Sequence, residues 1–299
     1  MPERLDGKRA LGPVWGDWLD RLPRLFGDLL DEWELTSEDG RHWHGACSLV
    51  APVMTDDGTS AVLKITFDGD NESRHEGLAL QHWHGVGAVR LLRADPHRRA
   101  LLLERLTRRD LTDAWDLEAC GIVAGLYRDL HLAALPQLTP VTVFVARWLD
   151  DLAGQPRDIP IPPRFRAQAS SLGRELVADR ASVGRIIHGD LHYENVLAAG
   201  PEQASDRGQW LAIDPKPFAG HPGFELQPLL RNRSDELGTG SALRWSVRHR
   251  LEVAAAAAGV DPEEARLWSL LHTGVQILWS RADPEAASLH IALFKALED

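Results

Sequence analysis

Cysteine is nearly absent: the 299 residues include 2, Cys47 and Cys120, far apart in the chain. That excludes a disulfide framework and a four-cysteine zinc site, and it suits a reducing cytosol. Long apolar runs are also missing, and nothing approaches the roughly 18 uninterrupted apolar residues that suggest a membrane span. The opening stretch MPERLDGKRALGPVW scatters charge and has no apolar h-region, so no signal peptide and a cytoplasmic location are expected. Blocks of lysine or arginine are lacking too. With 33 basic against 44 acidic residues the net charge is −11, which disfavours a nucleic-acid partner, whose binders carry a basic stripe. An acidic protein is better placed to attract a cationic small molecule, although solubility is the simpler reading of that charge.

What remains is a composition of 44% apolar and 26% charged residues, typical of a soluble globular chain large enough for one big domain or two lobes. Helical spacing runs through Trp15, Trp18, Leu19, Leu22, Leu25, Phe26, Leu29 and Leu30. CSLVAPVMTDDGTSAVLKITF then reads as two strands about a turn at Asp57-Gly58. The helical stretch ESRHEGLALQHWH closes at Gly85, and AVRLLRA and RALLLERL make two further strands about the turn DPHR. From residue 116 onward the pattern is mostly helical, broken by a proline-rich loop at 158–165 and by the short stretches RIIHGDL, NVLAA and WLAID. The polar GPEQASDRGQ joins the last two as a hairpin-like turn. The tetrapeptide HWHG occurs at 42–45 and 82–85, but its flanks do not match and it reads as coincidence.

The densest polar cluster is RIIHGDLHYENVLAAG, residues 185–200. His188 and His192 are four apart, as zinc-binding histidines on a helix are. The glutamate of H-E-x-x-H is missing, however, and Gly189 beside the first histidine is a poor helix residue. Kinase catalytic loops read H-R-D-L-x-x-x-N, where aspartate meets the acceptor hydroxyl and asparagine holds magnesium. Residues 188–195 are H-G-D-L-H-Y-E-N, so Asp190, Leu191 and Asn195 match at the required spacing. A second metal carboxylate is expected after the next strand, where WLAID delivers Asp214. A strand lysine is expected earlier, where AVLKI offers Lys64, and a glutamate on the following helix, where Glu76 stands. Singly, Lys64 reads as a strand-edge charge and Glu76 as a solvated helix residue, and a turn cap before Pro215 is the alternative for Asp214. Five such residues in the kinase order argue against coincidence.

HGDLHYENVL, AIDPKP and GHPGFELQPLLRNR resemble the aminoglycoside/hydroxyurea antibiotic resistance kinases of the streptomycin 6-phosphotransferase type, from about Trp43 to the C-terminal helices. The resemblance implies an α+β, protein-kinase-like two-lobed fold. A small antiparallel-sheet lobe with one main helix would span 1–106, and a larger, mostly helical lobe 107–299. It implies ATP and Mg2+ as cofactors, Asp190 as catalytic base, Asn195 and Asp214 as magnesium ligands, and Lys64 with Glu76 at the ATP phosphates. Two departures matter. The phosphate loop WHGACSLVAPV has the single glycine Gly45, leaving Ser48 to supply a hydroxyl. Asp214-Pro215-Lys216 stands where protein kinases have D-F-G, with no A-P-E after it.

The expectation is therefore a magnesium-dependent kinase that phosphorylates a hydroxyl of a small cationic aminoglycoside, streptomycin first, and confers resistance. The small lobe should hold five strands, with the connection at Glu104, Arg105 and Leu106 lending backbone groups to adenine. Carboxylates of Glu225, Asp235 and Glu236 should receive the cationic acceptor. The alternatives are a kinase for hydroxyurea or an amino sugar, or a nucleotide-binding pseudokinase acting as an interaction module.

Overall fold

The structure is a computed structural model that describes residues 3–38, 43–155, 162–201 and 207–298. Residues 158–161 of the proline-rich loop, His42 of the first HWHG and the centre of the polar turn at 200–209 lie outside them. The chain divides into two compact units: Met1–Arg108 with Ala199–Gln209, and Arg109–Ala198 with Trp210–Asp299.

The first unit begins with α1 (Glu3–Asp6) and α2 (Pro13–Glu32). Proline at the first turn of α2 costs nothing, because that N–H has no intrahelical partner. A six-stranded antiparallel sheet follows: β1 (Thr36–Ser37), β2 (Trp43–His44), β3 (Ser48–Met54), β4 (Ser60–Thr66), β5 (Leu91–Asp95) and β6 (Ala100–Glu104). The order is β1-β3-β4-β6-β5, with β2 also on β3. This corrects the expected five strands, since β1 and β2 are two-residue pairings too short to leave a period in the sequence. Strand alternation sends Ala61, Leu63 and Ile65 of β4 to one face. They join Leu49, Val53, Ala100 and Leu102 in a core closed by Trp18, Leu19, Leu22 and Leu29 of α2. Each fully buried leucine there contributes roughly 1.5–3 kcal/mol. Helix α3 (Glu76–Trp83) is followed by His84, at φ +53°, and Gly85, at φ +79°. The left-handed turn expected at the glycine thus starts one residue early.

The second unit carries α4 (Asp116–Leu130), α5 (Val141–Gly154) and α6 (Pro163–Leu176). Four three-residue strands come next: β7 (Arg185–Ile187), β8 (Val196–Ala198), β9 (Trp210–Ala212) and β10 (Phe218–Gly220). They pair as two antiparallel ribbons, β7 with β10 and β8 with β9. Helices α7 (Gln227–Leu230), α8 (Gly240–Ala258), α9 (Pro262–Trp279) and α10 (Pro284–Leu297) complete it. Among the described residues no helix is long and apolar enough to cross a membrane.

Candidate active site

In the first unit, Lys64 sits at the middle of β4 between Val50 of β3 and Leu101 of β6. The strand period turns it away from the face that packs on α2. Its ammonium donates to both oxygens of Glu76, at 2.6 and 2.8 Å, and the two side chains are 8% and 2% exposed. A lysine held from both sides of one carboxylate is a fixed cation suited to an anionic group such as phosphate. Ser48 opens β3 and is buried; its carbonyl accepts the Gly45 amide at 3.1 Å. A Cβ at Gly45 would lie 2.6 Å from the Ser48 hydroxyl oxygen, so a side chain there would force that hydroxyl to turn away. Glu104 ends β6 with its amide on the Arg90 carbonyl at 3.0 Å. Its carboxylate accepts the Arg90 amide at 2.7 Å and pairs with Arg207. The Glu104 side chain is thus spent inside this unit, and Leu106 is half-buried.

The second unit builds the loop 188–195 between the two ribbons. His188 is fully buried, and burial pushes its imidazole pKa down, so the ring is neutral. Its Nε2 lies 3.0 Å from the Ile213 carbonyl, and its Nδ1 accepts the Asp190 amide at 3.4 Å. One tautomer, protonated on Nε2, satisfies both contacts. Gly189 adopts φ +83°, and a Cβ there would stand 2.2 Å from the Lys216 carbonyl oxygen, so no other residue fits. The register pairs Val196 with Ala212, and the Ile213 amide donates to the Asn195 carbonyl at 2.9 Å. This sets Asn195 beside the turn that carries Asp214. That residue adopts φ +56°, a left-handed backbone costing about 1–2 kcal/mol for a residue with a side chain. Such strain concentrates at functional positions.

Asp190 is 14% exposed and held on both oxygens: Lys216 Nζ at 2.8 Å and Arg231 at 3.0 Å. Burial alone raises a carboxyl pKa, but Lys216, His192 and Arg231 outweigh it and hold Asp190 below its ordinary value. The carboxylate is therefore ionised and acceptor-only. Asn195 donates Nδ2 to the Asp190 carbonyl at 2.9 Å, which turns its amide oxygen the other way. Among the described residues no group of three or more His, Cys, Asp or Glu gathers to hold a metal. One carboxylate and one amide oxygen make a poor site for zinc but fit magnesium, which keeps several waters and completes its shell with substrate phosphate.

Of the three acceptor carboxylates expected from the sequence, Glu225 needs correction. Glu225 is fully buried and accepts the backbone amides of His188 at 2.6 Å and Gly189 at 2.9 Å. It braces the loop 188–195 from beneath and offers nothing to an acceptor. Its glutamate character is not what misleads; its place in a 3-10 turn, Pro222–Leu226, hidden under α9, leaves no periodic signature. Asp235 and Glu236 lie exposed on the turn Ser234–Glu236. Lys216 and Arg231 were not singled out by sequence reasoning. The signal available was a cation two residues after Asp214 and another closing LLR.

Comparison with known proteins gives the fold and the family. A solved aminoglycoside phosphotransferase in ternary complex with AMP-PNP and hygromycin B superposes with a TM-score of 0.60 at 15% identity, covering 92% of this chain and 98% of that one. The fold is accordingly that of the kinase-like small-molecule phosphotransferases. The model of the aminoglycoside/hydroxyurea antibiotic resistance kinases matches residues 32–284, and the chain belongs to that family. It is 38% identical over 300 residues to the streptomycin 6-kinase of Streptomyces glaucescens, covering 96% of this chain and 92% of that one. It is 36% identical over 286 residues to the hydroxyurea phosphotransferase of Kitasatospora aureofaciens, covering 92% and 78%.

Proposed function

We propose that this enzyme transfers the γ-phosphoryl group of ATP to the 6-hydroxyl of streptomycin, with magnesium, and so inactivates the antibiotic. The observation that carries the reading is the loop that sets Asp190 against Lys216 and Arg231, joined to Asn195 and Asp214, in a chain so similar to a streptomycin 6-kinase. Lys64, steadied by Glu76, binds nucleotide phosphate oxygens, with the Ser48 turn beside them. The Glu104 carbonyl and Leu106 backbone receive adenine. Asn195 and Asp214 would hold magnesium, which when bound would neutralise charge on the transferring phosphate.

Asp190 accepts a hydrogen bond from the acceptor hydroxyl and aims its oxygen at the γ-phosphorus. The new O–P bond forms as the bond from γ-phosphorus to the bridging oxygen breaks, ADP leaves, and the hydroxyl proton passes to the Asp190 carboxylate. A carboxylate with a lowered pKa is a weak base. Phosphoryl transfer through a loose transition state asks mainly for positioning, which this residue supplies. A cytoplasmic setting suits an enzyme that spends ATP. Incubation with ATP, magnesium and either streptomycin or hydroxyurea tests the reading: streptomycin should gain one phosphoryl group by mass, and a preference for hydroxyurea would replace the substrate while keeping the kinase.

A further inference from the structure

Large aromatic side chains are seldom left in water, yet Trp115 and Trp245 are 75% and 67% exposed. Both line one cavity of the second unit, about 620 Å³ in volume, with Asp113, Asp116, Arg233 and Glu236 among its walls. That volume lies within the roughly 300–1,000 Å³ of small-molecule sites. The cations around it are already engaged. Arg250 is 2% exposed and places Nε and NH2 on the Asp116 carboxylate at 3.0 and 2.6 Å. Arg233 donates to the carbonyls of Leu111, Thr112 and Ala114. Its remaining contact with Glu236 is a loose 3.6 Å, and that carboxylate stays 56% exposed. Asp113 is exposed on the same rim. Indole faces beside an incompletely neutralised carboxylate are the chemistry that holds organic cations.

Two walls of the cavity are tied to the loop that carries Asp190. Tyr193, three residues beyond Asp190, donates its hydroxyl to Asp116 at 2.9 Å, and Arg233 lies 5.3 Å over its ring. We propose that this cavity is a cation subsite of the acceptor site, taking a guanidinium or alkylammonium group of a polycationic acceptor against Trp115 and Trp245, with Asp113 and Glu236 supplying charge. The proposal rests on the reading of this enzyme as an aminoglycoside kinase and adds where the acceptor's positive arm is held.

Calorimetric titration of streptomycin into the wild type, Trp115→Ala, Trp245→Ala and the double variant, without ATP, reads the subsite apart from turnover. All four proteins should melt alike, because both indoles are solvent-exposed. Each single variant should weaken binding by about tenfold, the equivalent of about 1.4 kcal/mol, and the double variant by more. Turnover should show the ratio of kcat/KM for streptomycin to that for hydroxyurea falling by a similar factor, with KM for streptomycin carrying the loss. Phenylalanine at both positions should restore most of it. Streptomycin binding equally well to the double variant and the wild type would overturn the subsite. Failure of the wild type to phosphorylate streptomycin would instead overturn the function reading, whatever the variants bind.

Discussion

At the scale of single residues, Asp190 is the group on which the proposed reaction turns. Asp190→Asn keeps size and one acceptor oxygen but loses the charge, so kcat should fall by about 10²–10⁴-fold while the ATP KM changes little. Lys216 sets the ionisation of that carboxylate from 2.8 Å away. Removing it as Lys216→Met should raise the Asp190 pKa, because the largest opposing influence, burial, then acts with less to offset it. The sign follows: a base with a higher pKa is protonated at higher pH, so the acid limb of the kcat/KM profile should move to higher pH. Lys216→Arg should move it back. A profile that does not shift in Lys216→Met would detach this lysine from the carboxylate's ionisation.

At the scale of elements, the turn Pro222–Leu226 and helix α9 hold the loop 188–195 in place. Glu225 accepts two loop amides, and Glu225→Gln leaves one of them facing an N–H, which should cost about 1–3 kcal/mol of stability. The loss should appear in the melting temperature and kcat together, with no selective rise in the streptomycin KM. His272 of α9 ties the same turn down, with Nδ1 3.1 Å from the Phe224 carbonyl and its ring stacked at 4.2 Å on Phe224. Burial lowers its pKa to about 4. Its folded pKa lies below the unfolded value near 6.5, so stability should decline as pH falls from about 6.5 towards 4, by roughly 3 kcal/mol at most from this group. His272→Gln should flatten that slope in denaturant melts across the interval. Elements also mark where the sequence was legible. The alternation of Ala61, Leu63 and Ile65 and the spacing of α2 declared themselves through period. The two-residue β1 and β2, and β10 inside KPFAG, are too short to carry one.

At the scale of the whole molecule, a net charge of −11 accompanies a site proposed to take a polycation. Raising ionic strength should therefore increase KM for streptomycin more than for hydroxyurea, since screening shortens the reach of the acidic field. Parallel salt dependence for the two acceptors would deny the field a role in recognition. The sequence disclosed the residues whose chemistry is tied to fixed spacing: Asp190 and Asn195 five apart, Asp214 at a strand end, Lys64 on a strand before Glu76. It did not disclose groups joined only by folding. Arg231 reaches Asp190 across 41 positions, and Glu225 reaches His188 across 37. Nor did it mark residues 199–209 as part of the first unit, where Arg207 meets Glu104. The central claim, phosphoryl transfer from ATP to streptomycin through Asp190, is tested most directly by phosphorus NMR of the product formed by wild type and Asp190→Asn. The account predicts a single phosphomonoester at the 6-hydroxyl with the wild type and almost none with the variant. Unmodified streptomycin with the wild type, or an equal yield from the variant, would contradict it.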